Sequence, residues 1–245
     1  MSTTDSAHLE RPMRLFSFDG SPTSRIVLLF CAEEGIELEK IDVDLLTGAH
    51  LSEKYKQINP SAFVPVLEDG DFRLTESSAI LKYLADKSES KTYPRALRAR
   101  AKIHEVMDWL NTSLYRVMGY SFIYPQLYAH HRHEPEVANR ATIEWGRERT
   151  RQYLEILDQH WLRDKPFLCG DALTLADFFG APMLGQFDLL HVSLARLPNV
   201  TRWMNTMREL KAWNAVHDMH NAYAASLLGR AFVGLWDERA GDEVM

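Results

Sequence analysis

Cysteine is nearly absent: the 245 residues hold two, Cys31 and Cys169, far apart and without Cys-x-x-Cys spacing. No disulfide framework or zinc knuckle is indicated, so stability has to come from a buried apolar core. Cys31, within Leu28-Leu29-Phe30-Cys31-Ala32, reads as an apolar filler of that core. Excess positive charge is missing as well. The formal net charge is −6 and no basic run is interleaved with aromatics, which argues against a nucleic-acid surface. No apolar run is long enough to span a membrane, and Met1 to His8 has neither the basic nor the apolar segment of a secretory leader. The expectation is a cytoplasmic protein with no nucleic-acid and no membrane partner. Internal repeats and low-complexity tracts are lacking too. What is plentiful is hydrophobic residue, 46% of the chain, enough for one large domain or two smaller ones.

The patterning changes part-way along. Met13 to Phe18 reads as a short apolar strand, Ser24 to Glu34 as a helix stopped by Gly35, and Glu37 to Asp42 as a second strand. The helical crossover implies that the two strands pair in parallel. A polar helix from His50 to Ile58 is broken by Asn59-Pro60. Two apolar runs then flank the turn signal Asp69-Gly70 and form a hairpin, and an amphipathic helix runs from Ser77 to Lys87. The order βαβαββα is that of a thioredoxin-like fold. Ser88 to Pro94 suits a linker, and beyond it the pattern is helical throughout, over about 97–129, 135–161, 174–190, 199–209 and 211–226. Leu173-Thr174-Leu175-Ala176-Asp177-Phe178 marks one helix start, where Thr174 can cap and Asp177 can reach back. The fold class expected is an α/β thioredoxin-like N-terminal domain over 13–88 followed by an all-α domain over 95–236.

Chemistry concentrates at two helix starts. Asp19-Gly20-Ser21-Pro22-Thr23-Ser24-Arg25 joins the first strand to the first helix. There the helix dipole and free N–H groups favour a thiolate. Ser21-Pro22-Thr23-Ser24 occupies the spacing that a redox protein fills with Cys-x-x-Cys, so the site is suited to a thiolate brought by a ligand. One serine hydroxyl donating to a bound thiol would lower its pKa from about 8.5 toward neutrality. Ser21 as a plain helix cap is the competing reading. A hydrolase nucleophile would need a G-x-S-x-G elbow, which Gly20-Ser21-Pro22 does not supply. At the second start, Glu76 suits an ammonium and the free N–H groups beside Ser77 suit a carboxylate, the two groups of an α-amino acid; an ordinary start capped by Ser77 is the alternative. Val64-Pro65 is open to two readings, a cis turn or a trans proline beginning an edge strand. His130-His131-Arg132-His133-Glu134 reads as a solvated helix end, since consecutive histidines diverge and no second cluster completes a metal site.

Val64-Pro65, the Asp-Gly hairpin and Thr75-Glu76-Ser77 together resemble the glutathione site of cytosolic glutathione transferases. Gly48-Ala49-His50-Leu51-Ser52 through Tyr83-Leu84 is similar to the theta class in particular. The resemblance covers about residues 13 to 235. It implies that Ser21, four residues before Arg25, activates the glutathione thiol and that Ser24 is the helix cap. It further implies that Glu76 and Ser77 hold the γ-glutamyl group, that His50 meets the glycine carboxylate, and that Val64 and Pro65 form a cis-proline turn pairing with the extended tripeptide. Glutathione would be a co-substrate and no metal would be needed. An electrophile site would lie between the domains at Thr112, Tyr115 and Arg116. On helical spacing, Asp108, Thr112, Tyr115 and Gly119 form one stripe. Trp236 would act as a lid in a C-terminal segment that otherwise would be an unstructured tail, with acidic residues from Asp237 onward. The implied reaction is conjugation of glutathione to an apolar small-molecule electrophile, halogenated compounds included, by a homodimeric detoxification enzyme. A non-catalytic glutathione-fold binding or scaffold protein is the alternative. Phe63 departs from the theta pattern, which often has lysine there, and removes a cation from the tripeptide's site.

Overall fold

The computed structural model describes residues 12–236. Met1 to His8 and the acidic stretch from Asp237 therefore lie outside the described residues. Strand β1 (Arg14–Ser17), helix α1 (Pro22–Glu34), β2 (Glu39–Asp42), α2 (Glu53–Lys56), β3 (Val66–Asp69), β4 (Phe72–Leu74) and α3 (Ser77–Lys87) reproduce the βαβαββα order. They form one four-stranded sheet in the order β2-β1-β3-β4. β1 is central and mostly buried, as its apolar sequence requires, whereas the edge strand β2, Glu-Lys-Ile-Asp, is largely exposed. Gly35 ends α1 in the left-handed region, φ 68°, where a residue without Cβ fits.

The remainder is helical. α4 (Leu97–Trp109) continues through π-helical turns at Leu110–Tyr115 and Met118–Ile123 into α5 (Tyr124–Leu127). α6 (Glu136–Ile156) is followed by α7 (Leu175–Leu184), α8 (Pro198–Arg208), α9 (Trp213–Val216) and α10 (Asp218–Ser226). The linker is pinned on both sides. Thr92 O accepts from Leu175 N at 3.1 Å, and Tyr93 bonds His104 Nε2 at 2.7 Å beneath the Arg100 guanidinium. The cap before α7 is as anticipated: the Thr174 N–H and hydroxyl both donate to Asp177 Oδ2 at 2.9 Å. Asp177, fully buried, also accepts from Leu168 N and from Trp203 Nε1 at 2.9 Å, so one carboxylate joins α7 to α8.

One continuous core runs from Leu15, Ile26 and Phe30 under the sheet to Phe178 and Trp203 in the helical part. α1 is its hinge piece. Phe30 stacks edge-on against Phe178 at 5.4 Å, and burying such a ring contributes roughly 1.5–3 kcal/mol. Glu33 accepts from Ala212 N at 2.6 Å at the other end of the helix. The helix that presents Ser21 is thus clamped by both halves of the molecule.

Candidate functional site

Register brings the chemistry to one end of the sheet. β1 and β2 are parallel, with Ser17 opposite Asp42, so both finish at the same end. β3 runs the other way, with Val66 opposite Phe16, and the Val64-Pro65 turn that enters it lies at that end too. β4 reverses again, Leu74 opposite Leu67, and delivers Thr75-Glu76-Ser77 to the same place. His50, in a short 3-10 turn after β2, completes the set. It is half-buried, and its Nδ1 is enclosed without a hydrogen-bond partner among the described residues.

Ser21 is buried, 8% exposed, and is itself the N-cap of α1. Pro22 at the first helical position forces the residue before it to be extended, and Ser21 has φ −80° and ψ 125°. The assignment of the cap to Ser24 is therefore corrected: Ser24 N donates to Ser21 Oγ at 3.5 Å, while Ser24 Oγ accepts from Phe18 N at 3.2 Å. That cap bond is long, and Ser21 Oγ also meets Thr23 Oγ1 at 2.9 Å. Arg25, wholly buried, folds back to donate from Nη1 to Gly20 O at 3.0 Å and Asp19 O at 3.3 Å, fixing the turn that presents Ser21. Burial pushes its guanidinium down to about 10, which leaves it cationic at neutral pH. Burial also pushes the Cys31 thiol up to about 12 and the Cys169 thiol up to about 11, so neither is a thiolate near pH 7.

The Val64-Pro65 peptide bond is cis, and Val64 O faces α1, where it accepts from Thr23 Oγ1 at 3.0 Å. At the second helix start the N-cap is Glu76, not Ser77, which is the first helical residue and is buried. Glu76 has φ 65° and ψ 113°, a region that non-glycine residues seldom occupy, and its exposed side chain caps nothing. Backbone outliers of this kind cluster where a ligand is held.

The chain matches the family model "Glutathione S-transferase, N-terminal domain" over residues 11–86 and "Glutathione S-transferase, C-terminal domain" over residues 125–206. Glutathione S-transferase theta-2 of Mus musculus is 33% identical over 217 residues, 86% of either chain. Glutathione S-transferase theta-2B of Homo sapiens is 37% identical over 208 residues, 82% of either chain. The chain belongs to the glutathione S-transferase family. Among solved structures, human glutathione transferase theta-2 in complex with glutathione and an unknown ligand is similar with a TM-score of 0.79 at 31% identity, covering 90% of this chain and 92% of that one.

In this transferase the helical half carries a cluster of phenols, and Tyr124, Tyr115 and Tyr128 lie within electrostatic reach of Arg25 in α1. Tyr115 and Tyr124, both buried, share a hydrogen bond of 2.6 Å between their hydroxyls. Tyr120 stands edge-on to both rings, and Tyr128 stacks on Tyr223. Burial, with the Glu76 charge adding to it, holds the Tyr120 phenol above its ordinary value. The one-stripe reading of Asp108, Thr112, Tyr115 and Gly119 is corrected. Asp108 and Thr112 are exposed while Tyr115 and Gly119 are buried, because i→i+5 bonding in the π turns puts more residues in each turn and rotates the stripe. Thr112 Oγ1 donates to Asp108 O at 2.8 Å and Arg116 is exposed, so neither is gathered with Tyr115. Trp236 is docked elsewhere: its indole N–H donates to Ser193 O at 2.7 Å and Arg196 lies over its ring. Sequence reasoning missed Thr23, Tyr120 and Tyr124. The signal for the phenols was the run Tyr115, Tyr120, Tyr124, Tyr128, whose first spacing of five fits a widened turn and not an α-helix.

Proposed function

We propose that the chain is a theta-like transferase in which the Ser21 hydroxyl stabilises the thiolate of glutathione for attack on an apolar small-molecule electrophile, halogenated compounds included. The carrying observation is the placement of Ser21 at the capped start of α1, at the sheet end shared with Val64-Pro65 and Glu76-Ser77. In this reading Glu76 takes the γ-glutamyl ammonium and Ser77 its carboxylate. His50 reaches the glycine carboxylate, and Val64 pairs with the peptide backbone. The electrophile approaches from the side of Tyr115 and Tyr120, with Arg116 at the exposed rim. A cytosolic location and a two-fold dimer complete the proposal.

Ser21→Ala is the test. A hydrogen bond to a charged group contributes about 1.5–3 kcal/mol, so turnover should fall roughly ten- to a hundredfold. The thiol's apparent pKa should rise, and glutathione affinity should stay nearly unchanged. Full activity with an unaltered pH profile would reduce Ser21 to a cap. A second reading, a glutathione-binding module without turnover, draws on Phe63 in place of a cation; tight glutathione binding with no conjugation of any electrophile would favour it.

A further inference from the structure

We infer that Thr23 is a positioning residue that sets the direction of the Ser21 hydroxyl and couples docking of the glutathione backbone at Val64 to activation of its thiol. The inference rests on the glutathione reading above. A hydroxyl carries one proton. Thr23 spends its proton on Val64 O at 3.0 Å, so in the 2.9 Å contact with Ser21 it is Ser21 that donates and Thr23 that accepts. In this arrangement the Ser21 proton points at Thr23, and among the described residues its oxygen receives only the long N–H of Ser24 at 3.5 Å. Arranged this way, Ser21 has no donor left for a sulfur.

Val64 O is the acceptor that an extended peptide would use on entering beside this turn. When a ligand amide N–H shares that oxygen, it weakens the bond from Thr23, because a carbonyl that accepts one hydrogen bond is the poorer acceptor for a second; the Thr23 proton turns to Ser21 Oγ, and the Ser21 proton is freed to point at the thiol sulfur. Two O–H rotations reverse the chain; no covalent bond is made or broken in the relay. Ser21 then donates while accepting from Thr23, and a hydroxyl that accepts a hydrogen bond is the stronger donor. The arrangement makes the ligand's backbone, and not its sulfur, the group that arms the serine. Sequence supplies the parts side by side, Ser21-Pro22-Thr23, but only the fold brings Val64 O to Thr23.

The test compares wild type with Thr23→Val, which keeps the shape and removes the hydroxyl, and with Thr23→Ser, which restores the hydroxyl. Thr23→Ala serves if the valine form does not fold. Bound thiolate is followed by its ultraviolet absorbance against pH, and turnover is measured at pH 6.5 and pH 9. Binding is measured with S-methylglutathione, which keeps the backbone and has no thiol. In Thr23→Val the apparent thiol pKa should rise by about half a unit to one unit, which lowers turnover at pH 6.5 about three- to tenfold. The deficit should close toward pH 9, S-methylglutathione affinity should stay within about twofold, and Thr23→Ser should recover the wild-type profile. The bordering charges of Arg25, His50, Glu76 and the Lys40–Asp19 pair are the same in all forms and cannot produce the difference. A Thr23→Val profile identical to wild type, or no recovery in a folded Thr23→Ser, overturns the relay while the glutathione reading stands. Wild type that neither binds nor uses glutathione overturns both.

Discussion

Glu76 shows what one residue contributes to this site. Its φ of 65° costs on the order of 1–3 kcal/mol, and the fold holds it there from both sides. The end of β4 fixes the entering chain, and Glu76 O accepts from Ala79 N at 3.0 Å and Ile80 N at 2.9 Å in the first turn of α3. A carboxylate is thereby held clear of its own helix, where the proposed γ-glutamyl ammonium would meet it. Glu76→Ala should weaken glutathione binding by about 1.5–3 kcal/mol, while Glu76→Gly should weaken it equally and relieve the backbone, so that thermal stability does not fall. Calorimetry and melting of the two variants check this; a folded variant with wild-type affinity would remove Glu76 from the site. The Asp69-Gly70 turn and the helix start were legible in the sequence because both follow from local residue preference. The backbone strain was not, since glutamate has no intrinsic taste for that region and only the surrounding chain imposes it. The cap position is a local matter too, since Pro22 at the first helical position holds Ser21 extended and makes Ser21, not Ser24, the N-cap.

At the scale of elements, the spans of the helices were read from periodicity to within a few residues, yet the widened turns within the first long helix were not. Pro125 has no N–H to continue the hydrogen-bond ladder, and Gly119 lies against the rings of Tyr115 and Tyr124, 3.1 Å from Tyr124 at its would-be Cβ. Those tertiary constraints decide the local geometry. The widened run is also the element that α6 crosses most closely. At the crossing a Cβ on Gly146 would stand 2.5 Å from Ser121 C and O and 2.9 Å from Phe122 N. These are backbone atoms, so no side chain can rotate out of the way. Gly146→Ala should therefore separate the two helices and destabilise the fold by about 2–3 kcal/mol. Gly185→Ala, whose Cβ would meet nothing within 4 Å, should be neutral or slightly stabilising. Urea unfolding of both variants is the measurement, and equal midpoints would mean that the crossing is looser than its geometry. Because Tyr115 and Tyr120 ride on this run, Gly146→Ala should also raise the KM for the electrophile at the proposed site before it changes glutathione affinity.

For the whole molecule the open surface is the loop before β3. Phe63 is 64% exposed. Its backbone is nevertheless fixed: Phe63 O accepts from Asn59 Nδ2 at 2.8 Å and from Tyr55 Oη at 2.9 Å. A ring held out on a rigid loop has little conformational entropy to lose on docking. The start of α4 also exposes an apolar side chain, Leu97 at 83%. Family resemblance implies a homodimer, and a two-fold contact between the sheet domain of one protomer and the helical domain of its partner would bury Phe63 twice. The C-terminal segment follows the same logic of docking, inside one chain: Arg151 Nε donates to Leu235 O and Trp236 donates to Ser193 O. Sequence did not reveal where this segment goes, because a short apolar stretch without periodicity names no partner. Light scattering at micromolar concentration should give twice the 28.2 kDa of one chain. Phe63→Asp would place two desolvated charges in the contact at a cost on the order of 2 kcal/mol each, raising the dissociation constant by about a thousandfold. A 28.2 kDa monomer in wild type would refute the dimer, and a dimer undisturbed by Phe63→Asp would move the contact away from this loop.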